Sequence, residues 1–235
     1  IKFLNKEGKE EFAYQNTYAI TTRMLGVMFA IHSDEKGLIL PPKIAPNQIV
    51  IIPILLEDSK TKVLKVAREI EKELEEFSPK LDDREEYRPG FKFNEYELKG
   101  IPLRIEIGPR DLEKNEVVIV RRDTKEKKSI KISELKTEIP RILEDIQRSL
   151  FNKSKKLFES KIEGCDSLDK LKLIIENKKI GICPVCKEQV CEDNLKSETG
   201  GAKALFISDK HKVKAEKCII CKKKADYFVY IAKTY

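Results

Sequence analysis

The chain has 235 residues, with 47 Lys plus Arg against 40 Asp plus Glu, a formal balance of +7. At about 150 residues per domain, that length predicts one or two domains, and 40% hydrophobic against 37% charged residues excludes wholesale disorder. The longest apolar run, Ile49 to Leu56, is interrupted by Pro53 and falls far short of the roughly 20 residues a spanning helix needs, so no membrane is expected.

Phe12 to Ile20, rich in aromatic and β-branched residues, reads as a strand. Thr21 to Ile31 reads as a helix, because Met24, Val27, Met28 and Ile31 recur at helical spacing. His32 to Gly37 is a polar turn, and Leu38 to Pro42 is extended chain. Residues 46–150 then alternate strand and helix. Gln48 to Leu55 suits a strand covered on both faces. Ser59 is placed to cap a helix whose stripe is Val63, Val66, Ala67, Ile70, Leu74 and Phe77. Leu81 starts a short strand, Pro89-Gly90 is a turn, and Phe91 to Leu98 is a short helix before Gly100. Three more strands follow at Leu103 to Ile107, Val117 to Val120 and Ser129 to Ile132, then a helix over Leu135 to Phe151. Residues 152–180 continue as a Lys-rich helix, a break at Gly164-Cys165-Asp166, and a second helix. Tyr227 to Ile231 is a terminal strand.

No secretory signal stands at the N-terminus, which reads Ile1-Lys2-Phe3-Leu4 without an initiator Met, so a processed chain or a fragment in a reducing compartment is expected. There the six Cys predict metal binding in preference to three disulfides. Cys183-Pro184-Val185-Cys186 with Cys218-Ile219-Ile220-Cys221 reads as two zinc knuckles. The 31-residue gap is long, and Cys186 with Cys191 is also a plausible pair, so five Cys compete for four places. Buried thiols without metal are the alternative. A structural site is favoured, and His211, nearby, reads equally well as a surface histidine or as a ligand.

On the strand Leu103 to Ile107, alternation puts Arg104 and Glu106 on the face opposite Leu103, Ile105 and Ile107. Such a polar face is commonly solvated. It can also read guanine, since a carboxylate accepts from its N–H edge and an Arg fork meets O6 and N7. The +7 balance alone says little, because nucleic-acid binding needs a clustered basic face.

Longer motifs carry a family resemblance. Phe12-Ala13-Tyr14-Gln15-Asn16-Thr17-Tyr18-Ala19-Ile20-Thr21-Thr22-Arg23 resembles motif 3 of a class II synthetase, and His32-Ser33-Asp34 to Lys43 resembles the exit of that domain. Pro89 to Gly100 and Gly108-Pro109-Arg110-Asp111 resemble an anticodon-binding signature, and the Cys-rich tail ending in Tyr235 is similar to a zinc domain. Along all 235 residues the chain resembles the C-terminal half of prolyl-tRNA synthetase, of the type shared by archaea, eukaryotes and some bacteria.

The resemblance implies an α/β and α+β fold: the end of a class II catalytic domain over 1–45, a mixed-sheet α/β anticodon-binding domain over 46–150, and a small α+β zinc domain over 151–235. It implies a ligase joining proline to its tRNA through a prolyl-adenylate, with ATP as substrate, Mg²⁺ accompanying it, and Zn²⁺ bound. Thr21 and Arg23 match ATP-holding positions; Glu97, Arg104 and Arg110 match readers of the anticodon guanines; Cys186, Cys191, Cys218 and Cys221 match the zinc ligands. A cytoplasmic enzyme, homodimeric when full-length, is expected. Tyr18 and Tyr96 stand where the family has Trp, and Ala19 and Ser33 where it has Gly. Motifs 1 and 2 are not in this sequence, so the fragment alone is expected to be inactive. The alternative is a non-catalytic RNA-binding module derived from a synthetase.

Overall fold

The computed structural model describes residues 1–234. Tyr235, the last residue of the Cys-rich tail, lies outside them. The chain forms two compact units, Ile1–Leu150 and Phe151–Tyr235.

In the first unit, a small antiparallel hairpin pairs β1 (Lys2–Leu4) with β2 (Glu10–Phe12), and helix α1 spans Thr22–His32. The strand expected over Phe12 to Ile20 is absent. Only Phe12 is paired, and Tyr14, Tyr18 and Ile20 are exposed. Aromatic and β-branched content favours a strand only where an edge and a buried face are available. Among the described residues, 13–20 has neither.

A five-stranded mixed sheet follows, built from β3 (Ile49–Pro53), β4 (Pro79–Leu81), β5 (Leu103–Ile107), β6 (Glu116–Arg121) and β7 (Lys127–Lys131). Its order is β4-β3-β5-β6-β7. β3 runs parallel to β4 and β5, whereas β5–β6 and β6–β7 are antiparallel. The connecting helices are α2 (Lys60–Glu73), α3 (Pro89–Lys99) and the short α4 (Pro109–Glu113); α5 (Leu135–Ser160) closes the layer and crosses the division between the units.

The two-residue period of the strands sorts the core. Ile49, Ile51, Leu103, Ile105, Ile107, Val117 and Ile119 meet the stripes of α2 (Val63, Ala67, Ile70) and α5 (Leu135, Ile139, Leu143, Ile146) in one cluster. Val50 and Ile52 face the other way, onto Tyr96 and Phe93 of α3. Every residue of β3 is buried, as its continuous apolar run predicts.

Three local expectations shift. Ser59 occupies the N-cap position of α2, but its hydroxyl donates to the Leu56 carbonyl at 3.3 Å. β4 ends at Leu81. Pro89 and Gly90 form the first turn of α3, where a missing N–H costs nothing. Next to that turn, fully buried Lys92 donates to the Asp82 carbonyl at 2.9 Å. Burial pushes the Asp82 carboxyl up, yet the Arg84 fork and the Lys92 charge outweigh it and hold the group well below its usual range. Lys92 Nζ also lies 3.4 Å from Asp82 Oδ1, so this buried pair ties α3 to the chain just past β4.

Residues 33–42 run against the other end of α3. Leu38 N–H donates to the Leu98 carbonyl and Leu40 N–H to the Gly100 carbonyl, both at 3.0 Å. Gly100 has φ +73°, and a Cβ there would lie 2.5 Å from the Leu38 oxygen. Only glycine takes that backbone and that approach without strain.

The second unit is a four-stranded sheet of order β10-β11-β9-β8. Its elements are β8 (Ile162–Gly164), α6 (Leu168–Glu176), β9 (Ile180–Val185), α7 (Gln189–Glu198), β10 (Ala202–Ile207) and β11 (Tyr227–Lys233). β8 and β9 are parallel, and β11 is antiparallel to both β9 and β10. Leu171, Ile174, Cys183, Leu195, Val229 and Ile231 are among its core residues. No helix among the described residues is long and apolar enough to cross a membrane.

The Gly100 contact gives a stability test. Gly100→Ala should lower the unfolding free energy read from urea titration by about 1–2 kcal/mol or more, the cost of a left-handed Cβ plus the close approach, with the midpoint falling accordingly. Gly90→Ala, in a helical turn with nothing within 4 Å, should leave the midpoint unchanged or slightly raised. Equal midpoints for the two variants would show that the Gly100 contact contributes nothing.

Candidate nucleic-acid interface and metal centre

β5 carries the first candidate site. Its odd residues are buried in the core, so Arg104 and Glu106 emerge on the α3 face. Arg104 Nε and Nη2 each lie 2.9 Å from Glu106 Oε1, and the guanidinium stacks over Phe93 at 4.4 Å from the ring centroid. Two contacts thus fix the fork and leave Nη1 unclaimed among the described residues, available to an acceptor. Lys127 Nζ approaches Glu106 at 3.7 Å.

Glu97 sits in the last turn of α3 and lines one small cavity together with Arg104, Val50, Tyr96, Ile101 and Arg122. Its carboxylate lies 3.6 Å from Lys36 Nζ. Its main-chain carbonyl accepts from Arg122 Nε at 2.9 Å. Arg122, itself buried, forks onto Asp34 at 2.9 and 2.6 Å. The Arg122 hydrogen bonds hold the Asp34 carboxyl well below the usual carboxylate range. Arg122 and Asp34, 88 residues apart, therefore brace the helix end that presents Glu97. Sequence reasoning missed both, because no local period links them.

Arg110 lies apart from that cavity, exposed on α4, which starts where the Gly108 N–H donates to Asp111 at 2.8 Å. The structure brings Glu97 and Arg104 together and leaves Arg110 on the adjoining turn. Thr21 and Arg23 stand exposed at the start of α1. The Thr21 carbonyl accepts from Met24 N–H at 3.0 Å. No hydrogen bond or ion pair engages either side chain among the described residues.

The second site gathers four thiols. Cys186 follows β9, Cys191 lies in the first turn of α7, and Cys218 and Cys221 flank one tight turn. Their Sγ atoms all lie within 4.8 Å of one another, and Cys186 to Cys221 is 3.7 Å. A tetrahedron with Zn–S bonds of 2.3 Å has edges of about 3.8 Å, so the donor set fits a closed structural zinc centre. Burial pushes the Cys218 thiol up, but backbone N–H groups of Cys221, Cys186 and Ile220 outweigh it and lower it to about 7. Burial, with the neighbouring thiols, raises Cys191, and burial raises Cys186. Four thiols this close cannot all ionise without a cation, which is what a metal supplies.

Cys183, which bare spacing had paired with Cys186, points into the core of the second unit and is joined to Cys165 by a disulfide, with Cα atoms 5.2 Å apart. Composition had predicted metal ligation over disulfides. It could not reveal that β8 and β9 run in parallel and bring Cys165, just past β8, beside Cys183.

A family model described as "Anticodon binding domain" matches residues 48–142, and one described as "Prolyl-tRNA synthetase, C-terminal" matches 168–235. The chain is 41% identical over 237 aligned residues to proline–tRNA ligase 2 of Bacillus thuringiensis strain Al Hakam, covering 100% of this chain and 49% of that protein. It is 40% identical over 201 residues to proline–tRNA ligase of Natranaerobius thermophilus, covering 85% and 42%. Among solved structures, prolyl-tRNA synthetase from Cryptosporidium parvum complexed with halofuginone and AMPPNP superposes with a TM-score of 0.88 at 40% identity, over 100% of this chain and 49% of that one. The chain spans about half the length of the relatives it matches.

Metal analysis of the purified chain should find about one zinc per molecule. Cys218→Ser should lose it and unfold the region around the tight turn, because ligation and folding are coupled there. Cys183→Ser should keep it. Loss of zinc from Cys183→Ser with retention in Cys191→Ser would assign the ligands to the other set.

Proposed function

We propose, for a chain that corresponds along its whole length to the C-terminal half of prolyl-tRNA synthetases, that the complete protein joins proline to its tRNA with ATP through a prolyl-adenylate. The observation that carries the RNA half of this reading is the convergence of Glu97 and Arg104 on one cavity of an anticodon-binding fold. Glu97 accepts from the N–H edge of one anticodon guanine, and Arg104 and Arg110 donate to guanine O6 or N7. Anticodon bases are unstacked, so these edges are within reach of side chains. Arg110 is exposed and suits a second base or its phosphate.

Residues 1–45 serve as the end of the catalytic domain, 46–150 as the anticodon module and 151–235 as the zinc module. Thr21 and Arg23 hold ATP, in keeping with solved relatives from Cryptosporidium parvum complexed with AMPPNP or with L-proline and AMP. A guanidinium on the phosphates offsets charge as pyrophosphate leaves the α-phosphorus, with Mg²⁺ on the same phosphates. Cys186, Cys191, Cys218 and Cys221 hold zinc, which organises the turn and takes no part in the chemistry. The full-length protein acts as a cytoplasmic homodimer.

In the full-length protein, Arg23→Ala should slow proline-dependent pyrophosphate exchange by roughly 100-fold or more, as loss of one charge-stabilising donor costs about 3 kcal/mol. Exchange at the wild-type rate would place Arg23 outside the ATP site. No exchange by the full-length wild type with any amino acid would leave the non-catalytic RNA-binding reading in its place.

A further inference from the structure

The chain's net positive charge falls in one unit. Residues 1–150 hold 28 basic and 28 acidic side chains, whereas residues 151–235 hold 19 lysines against 12 acids. The excess is concentrated further: residues 210–224 carry seven lysines (Lys210, Lys212, Lys214, Lys217, Lys222, Lys223 and Lys224) and a single carboxylate, Glu216. All seven are exposed, and among the described residues none forms a salt bridge. The first unit behaves differently, with Arg84, Arg104, Arg121 and Arg122 each spent on a carboxylate.

The nearby acids are engaged by backbone N–H groups and make no salt bridge to the lysines among the described residues. Glu216 accepts from the backbone N–H groups of Lys214 and Ala215 at 2.6 and 3.0 Å, and Asp226 from that of Lys187 at 3.0 Å. Asp209, just before the segment, is the remaining acid there. The backbone beneath is held: Cys218 N–H donates to the Lys223 carbonyl at 2.8 Å, and Lys222 N–H to the Cys218 carbonyl at 3.0 Å. One antiparallel bridge sets Lys217 directly opposite Lys224. Like charges facing each other across a bridge are destabilising unless an anion lies near. Zinc on four thiolates contributes about two negative charges, fewer than the lysines present.

We infer that residues 210–224 form a second RNA-binding surface, one that takes phosphates and reads no base. Lysine ammoniums are compact point charges suited to that task, whereas Arg, the residue of bidentate base reading, is absent from the segment. The Cys218–Cys221 turn and the Lys217–Lys224 bridge fix the backbone that carries Lys217 and Lys222 to Lys224, which lowers the backbone ordering cost at binding. The choice of RNA over another polyanion rests on the reading of the preceding subsection. The surface acts independently of the Glu97–Arg104 face, so its test uses an RNA without guanine.

The experiment is a titration of the chain with a labelled oligouridylate of about 20 nucleotides over a range of salt concentrations. The variant replaces Lys212, Lys214, Lys223 and Lys224 by Gln. Its slope of log K against log salt should fall by up to about 3, at about 0.7 per lost phosphate contact, with affinity down at least about tenfold. The control replaces the exposed Lys62, Lys65, Lys72 and Lys131 by Gln, removes the same charge, and should change affinity less than about twofold. Zinc content and thermal midpoint report whether each variant is folded. If the first variant loses zinc, Lys212→Gln with Lys214→Gln, outside the Cys218–Cys221 turn, should still lower the slope by about half as much. An unchanged slope overturns the inference, and so does an equal loss in the control, which would leave only bulk charge. Binding of polyglutamate without binding of oligouridylate assigns the loop to an acidic protein and also overturns it.

Discussion

The two-residue period of β5 is the constraint on which the candidate RNA face depends. Leu103, Ile105 and Ile107 are fully buried against α2 and α5, and burying such side chains contributes roughly 1.5–3 kcal/mol each. A slip of one residue would put them on the α3 face and turn Arg104 and Glu106 into the core. The register is thus fixed by apolar burial on one side, and the polar pair on the other is positioned as a consequence. Glu106 and Phe93 then hold the Arg104 fork, so its order is met before any base arrives.

Glu97 reaches the same cavity by a different route. Its helix is anchored at the start by Lys92 and Asp82, and at the end by the Gly100 contact with Leu38 and by Arg122. Arg122 in turn grips Asp34. The polar turn after α1 therefore belongs mechanically to the face that Glu97 lines. In the second unit, strands β9 and β11 supply a core, and the turn at Cys218–Cys221 is held by backbone hydrogen bonds to Lys223 and Pro184 and by burial of Ile219, which sets two of the four thiols in place.

Much of this was legible in the chain itself. Clean alternation gave β5 at its observed bounds, the continuous apolar run gave β3, and the stripe of Val63, Ala67, Ile70 and Leu74 gave α2. In each, a single period coincides with burial. Residues 13–20 misled because propensity cannot report whether a pairing edge exists. β8, β9, α7 and β10 were not anticipated, since β8 is only three residues long and the other runs are broken by Lys, Cys or charged residues. Of the candidate sites, Glu97 with Arg104 and the four thiols are brought together, whereas the Cys165–Cys183 pair and the Asp34–Arg122 brace arise from tertiary neighbours that no spacing rule connects.

Base reading is the central claim, and it differs from phosphate attraction in one observable. Two anticodon stem-loops, one ending in two guanines and one with adenines in their place, carry the same backbone charge. Titrating both with the chain at one salt concentration should show tighter binding to the guanine loop by about 1–3 kcal/mol per base read, and Glu97→Ala should remove the share of the one guanine it reads, about 1–3 kcal/mol, while leaving the adenine loop unaffected. Equal wild-type affinity for the two loops would contradict the account and leave Glu97 and Arg104 as an ordinary solvated ion-pair face.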